Sequence, residues 1–162
     1  GGIGFSQNDP TVATDFKIDL SFEEWFAQTD NFGTAEEKAF VAYFKNHLAD
    51  LKKIYSKIYL VRNERQFHIY SFDGGNRFEP DFVIFLQKNK DSKFEQLQIF
   101  VEPKGEHLEE KDAWKEEFLM QLKENAVTVK NFADDGNYKI FGLHFFNHED
   151  LNNFDADFNS LF

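Results

Sequence analysis

Two strand-like runs joined by a short polar turn most constrain what this chain can fold into. Phe82–Gln87 and Leu97–Glu102 are rich in Phe, Ile, Val and Leu, and Asn89-Lys90-Asp91-Ser92 between them is a turn signal. A turn centred between Asp91 and Ser92 makes the two runs a hairpin whose paired positions sum to about 183, as Asp81 and Glu102 do. The register therefore sets two carboxylates side by side at one end of a sheet. Lys104 lies two residues beyond Glu102, on the same face of the strand.

The rest of the chain supplies elements to pack around that hairpin. Phe16, Ile18 and Leu20 alternate as a strand does, and Phe22, Trp25 and Phe26 suggest a helical turn. Thr34 is a good N-cap, with Glu36 and Glu37 in the first turn, where the helix dipole favours acids. Phe40, Val41, Phe44, Leu48 and Leu51 then recur at helical spacing, which predicts an amphipathic helix over 35–53. Two more strand-like runs, Ile54–Arg62 and Phe67–Phe72, come before the hairpin, and Asp73-Gly74-Gly75-Asn76 follows as a turn. Asp112–Ala126 carries Trp114, Phe118, Leu119 and Leu122 on one helical face, and Tyr138–Phe146 is a last strand. The tail from Asn147 is acidic, Asn-rich and weakly patterned. The step from Leu97–Glu102 through the 112–126 helix to 138–146 is long enough for a parallel crossover. The expected fold class is α/β: a mixed sheet flanked by helices.

Composition narrows the function. With 162 residues, 41% hydrophobic and 29% charged, the chain reads as one domain with a real core, built largely from its 22 Phe. No cysteine is present, which excludes disulfides and thiolate metal sites. No apolar run approaches the roughly 18 residues of a membrane helix, and no signal-peptide pattern opens the chain. A cytoplasmic domain without membrane contact is expected; the Gly-Gly start without Met suggests a piece of a larger protein. The net charge is −11, a poor surface for gripping nucleic acid unaided. It is unevenly spread: residues 1–50 hold three basic and nine acidic side chains, 131–162 hold one and six, and 51–130 hold fourteen of each.

Two carboxylates and an ammonium that converge need a reason, because like charges repel and burial is costly. A divalent cation held by Asp81 and Glu102 is one, and oxygen donors without cysteine fit Mg²⁺ or Mn²⁺. Lys104 could then place an attacking water or steady the charge developing on a phosphate. The bland alternative is a surface ion-pair cluster. Glu79 shares the face of Asp81 by alternation, and His107 follows the Lys104-Gly105 turn; both default to the surface. Lys111, Lys115 and Lys123 could meet phosphate, with a solvated helix face as the default. His144 and His148 straddle a strand end, where a separation of four does not bring them together. Trp114 and Phe118 read as core.

These residues resemble a known family. Pro80-Asp81, twenty residues, then Glu102-Pro103-Lys104 resembles the PD-(D/E)XK nuclease signature, and the helix–three strands–helix–strand order (αβββαβ) resembles that superfamily's core. More narrowly, Arg77-Phe-Glu-Pro-Asp81, Val101-Glu-Pro-Lys-Gly105, Trp114-Lys115 and Glu37-Lys38-Ala39-Phe40 resemble the C-terminal endonuclease domain of type III restriction enzyme Res subunits. The resemblance covers about residues 35–146, leaving an N-terminal extension and an acidic tail. It implies a Mg²⁺-dependent endodeoxyribonuclease in which Asp81 and Glu102 are metal ligands, Lys104 is the catalytic lysine and Glu37 is an auxiliary acid near the metal. It also implies DNA, a helicase portion of the same polypeptide and a modification (methyltransferase) subunit as partners. Proline between acid and lysine departs from the commoner apolar residue, and no Gly-rich Walker loop occurs in these 162 residues. The rival expectation is a non-catalytic module that keeps the nuclease fold for binding or assembly, to which the acidic flanks are suited. A third makes the carboxylates part of another Mg²⁺-dependent phosphoryl enzyme.

Overall fold

The computed structural model describes residues 17–19, 34–63, 68–70, 75–90, 93–104, 112–125, 127–131 and 136–162. In chain order these form β1 (Lys17–Asp19), α1 (Ala35–Ile54), β2 (Lys57–Arg62), β3 (Ile69–Tyr70), β4 (Arg77–Phe78), β5 (Phe82–Lys90), β6 (Lys93–Val101), α2 (Ala113–Asn125), β7 (Val127–Asn131), β8 (Gly136–Gly142) and α3 (Asn152–Asn159). The proposed helical turn at Phe22–Phe26, as well as Gly105, His107 and Lys111, lies outside the described residues.

The main sheet is mixed, with strand order β1-β2-β5-β6-β8-β7. β1, β2, β5 and β6 pair antiparallel, and β6 pairs parallel to β8. The β5–β6 register aligns Phe82 with Val101, so positions sum as the sequence predicts. The crossover through α2 is parallel, also as expected.

Three expectations need correction. The run Phe67–Phe72 does not join the main sheet: Ile69–Tyr70 pairs with Arg77–Phe78 in a separate two-stranded ladder, and β2 pairs directly with β5. Pro80, which has no N–H to donate, stands between this side ladder and β5. Second, no element is expected between the 112–126 helix and the strand at 138–146, yet Val127–Asn131 forms an edge strand antiparallel to β8, opened by three consecutive β-branched residues. Third, the C-terminal tail is not weakly organised. It carries α3, whose Phe154 and Phe158 are fully buried.

Alternation along the strands splits the core into two faces. Phe82, Ile84, Leu86, Leu97, Ile99 and Val101 pack on the side of α1 and α3. Val83, Phe85 and Phe100 pack on the side of α2 with Phe118, Leu119 and Leu122. The first face is a cluster of aromatic rings. Phe40 meets Phe82, Phe146 and Phe154 at centroid distances of 4.9, 5.5 and 6.1 Å, mostly tilted or edge-on, as ring quadrupoles prefer. Tyr43 and Tyr55 fasten the tail, with hydroxyls that donate to Asp155 and to the Leu161 carbonyl, each at 2.5 Å.

On the other face α2 lies hard against β8. A Cβ added at Gly142 would stand 2.7 Å from Leu119 Cδ2 and 2.8 Å from Leu119 Cα. The second of these is backbone and cannot rotate away, so only glycine lets α2 sit this close. Gly142→Ala should therefore lower the urea midpoint without changing the slope, at a cost of about 1–3 kcal/mol. A midpoint within experimental error of wild type would show that α2 has room to shift.

Candidate active site

The site forms where β5 begins and β6 ends. Asp81 immediately precedes β5 and Glu102 follows β6, one step beyond the Phe82–Val101 pair. Asp81 follows Val83, and Glu102 follows Phe100, onto the α2 side of the sheet. The two carboxyl groups are hydrogen bonded to each other.

Backbone contacts hold both in place. Asn63, just past β2, donates its N–H to the Asp81 carbonyl (2.7 Å) and its side-chain amide to the Pro80 carbonyl (2.8 Å). Beyond β6, Phe146 N–H donates to the Glu102 carbonyl (3.0 Å) and Lys104 N–H to the Phe146 carbonyl (2.8 Å), with Pro103 opposite Phe146. Proline costs no hydrogen bond here, because the groups used are the carbonyl before it and the N–H after it.

Phe100 aligns with Gly142, yet Pro103 aligns with Phe146, so the two residues 101–102 face the three residues 143–145. This is a bulge. Its displaced amides are taken up by side chains: His144 N–H donates to Asp157 Oδ2 and Phe145 N–H to Glu116 Oε2, both at 2.9 Å. Asp157, itself buried, also meets His144 Nδ1 (2.6 Å) and Lys123. Its burial raises the acid's pKa, but hydrogen bonds from the His144 amide, Lys123 and the His144 ring outweigh that and hold it below the usual carboxylate range.

Glu102 is the opposite case. Only 3% exposed, it has a pKa pushed up to about 9, first by loss of solvent and then by the hydrogen bond and charge of Asp81. Lys104 and Lys115 pull it partly back. Burial and the neighbouring acid thus favour the protonated form of Glu102.

Other sequence candidates fall elsewhere. Glu37 is not brought to the pair: it sits on α1, 3.0 Å from Arg62 Nη2, and Arg62 follows Leu60 onto the α1 side of the sheet. Among the described residues no group of three or more His, Cys, Asp or Glu could hold a metal ion. Glu79 pairs with Arg77 at 2.6 Å. His144 and His148 engage different acids, Asp157 and Glu36. Lys123, though exposed, is tied to Asp157, and Lys115 lies 3.1 Å from Asp112. Phe118 is buried, and Trp114 packs edge-on to Phe78 at 6.1 Å. The sequence reading missed Asn63, Asp112, Glu116 and Asp157, whose roles depend on partners distant in sequence.

Residues 7–160 match a family described as a C-terminal domain, HI_1054_C. The chain belongs to this family. It is also 38% identical over 136 residues, 80% of its own length, to an uncharacterized protein of Haemophilus influenzae. It spans 29% of that relative's length. No solved structure matches the chain. No helix among the described residues is long and apolar enough to cross a membrane.

The raised Glu102 value fixes the sign of a pH effect. Between the ordinary glutamate range and about 9, the native protein holds a proton that the unfolded chain has lost. This contribution to stability is complete below the unfolded pKa and is lost as pH rises through the folded one. Glu102→Gln keeps a donor toward Asp81 but does not titrate. Between about pH 5.5 and 8.5, metal-free wild type should lose at least about 1 kcal/mol more stability than Glu102→Gln, measured by urea denaturation. Parallel pH profiles would contradict the raised Glu102 value.

Proposed function

We propose that this domain is a metal-dependent DNA endonuclease of PD-(D/E)XK type that hydrolyses phosphodiester bonds. In this reading it is the cleavage module of a larger polypeptide resembling a type III restriction Res subunit. The observation that carries the reading is the Asp81–Glu102 contact between adjacent strands, on one sheet face at one strand end, with Lys104 two residues on. The order α1, β2, β5, β6, α2, β8 supports it, since it follows the helix–three strands–helix–strand plan of that superfamily.

The donor set suits Mg²⁺ or Mn²⁺. Magnesium commonly takes one or two carboxylates and fills its remaining positions with water and phosphate oxygens, so two acids suffice. Asp81 and Glu102 would hold the ion, which when bound would polarise the scissile phosphate and acidify a water. Engaging a cation would favour the ionised form of Glu102, so its burial would make the site responsive to metal. Asn63 fixes the Pro80-Asp81 backbone, and the Phe146 ladder fixes Glu102 and Lys104. The Lys104 ammonium, 30% exposed and 3.6 Å from Asp112, would steady charge developing on the phosphate oxygens. With a net charge of −11, the domain would depend on a helicase portion of the same polypeptide, and on a methyltransferase subunit, to bring it to DNA.

Purified protein should nick supercoiled plasmid in Mg²⁺ or Mn²⁺ and stop on chelation. Asp81→Ala and Lys104→Ala should each lower the rate at least about 100-fold. Undiminished nicking by both variants would contradict the assignment. A wild type that is inert in both metals, alone and with its full-length chain, would favour the assembly-module reading that the acidic flanks suit.

A further inference from the structure

Lys104 and Lys115 come from different elements, the extension of β6 and the first turn of α2, yet both ammoniums rest on one carboxylate. Asp112 Oδ2 lies 3.6 Å from Lys104 Nζ, and Asp112 Oδ1 lies 3.1 Å from Lys115 Nζ. The Asp112 side chain is 14% exposed. Lys115 is not a solvated helix lysine: its side chain is 26% exposed, and its Nζ stands 6.0 Å from the Phe78 ring centroid. Both lysine charges act on Glu102. The carboxylate pair is thus bordered by two seated ammoniums that share the Asp112 carboxylate.

The Lys104–Asp112–Lys115 group has one more ammonium than carboxylate and stands beside the acidic pair, in a chain whose total charge is −11. A polyanion approaching this end of the sheet is attracted where ammoniums such as these stand. The two cations are supplied by separate elements and braced by one residue, so their spacing is set before any ligand arrives.

We propose that Lys115 is a second phosphate-contacting residue of this site, holding a backbone phosphate of the same DNA strand beside the one Lys104 engages, and that Asp112 is the positioning residue that sets the two ammoniums. The proposal rests on the nuclease reading and names how that site grips its substrate. A mere i, i+3 ion pair on a helix surface would leave DNA binding untouched.

The test measures binding of a fluorescent duplex of about 20 base pairs by anisotropy across a salt series, with Ca²⁺ in place of Mg²⁺ to prevent cleavage. Lys115→Ala should weaken binding evenly across unrelated duplexes and reduce the slope of log K against log salt by about 0.9, the loss of one phosphate contact. Lys115→Met, which keeps the stem on Phe78, should do the same and guards against a folding defect. Lys115→Arg should retain the slope. Asp112→Asn keeps both cations, so it should preserve the slope while lowering kcat rather than raising KM. A wild-type slope in both neutral Lys115 variants would overturn the Lys115 assignment and leave the nuclease reading standing. An unchanged kcat in Asp112→Asn would overturn the positioning role. A wild type that neither binds nor cuts DNA, alone and within its full-length chain, would sink the nuclease reading and this proposal together.

Discussion

The rest of the site depends on one contact, between the carboxyl groups of Asp81 and Glu102. Two acids on neighbouring strands cannot both ionise out of solvent, so one must keep a proton or meet a cation. Glu102 is the more buried, and its burial favours the acid form. The contact also links the element ends that surround it. β5 cannot slide along β6 without breaking it, and Asn63 and Phe146 pin the backbone from either side.

The whole strand end is organised around polar partners from separate elements. Glu37 holds Arg62 on the α1 side, Asp112 holds Lys104 and Lys115 on the α2 side, and Glu116 and Asp157 take up the amides that the bulge displaces. Beneath this lies the aromatic cluster, where Phe40 touches rings from β5, the segment just past the bulge and α3. The abundance of Phe has a structural reason: large rings bridge three elements at once and fasten the C-terminal segment into the core. The acidic tail is therefore part of the fold that supports the site.

What could be read from the sequence was whatever local rules dictate. The Thr34 cap, the α1 periodicity and the β5–β6 hairpin follow from spacing and turn chemistry, and the hairpin alone aligned Asp81 with Glu102. Long-range partners were hidden. Nothing near Lys115 in sequence shows that Asp112 also meets Lys104, and nothing near Asp157 shows that it caps a bulge. The family resemblance sets Glu37 near the metal, but helix position says nothing about which sheet face a side chain serves. Phe154 and Phe158 are four apart, a helical spacing diluted by Asn and Asp until tertiary packing reveals it.

Calorimetry of Mn²⁺ binding tests the central claim most directly, run near neutral pH in two buffers of different ionisation enthalpy. If the metal takes the place of the proton held between Asp81 and Glu102, binding should release about one proton per ion, and Asp81→Asn should abolish both binding and release. Binding that survives in Asp81→Asn, or that releases no proton, would contradict it.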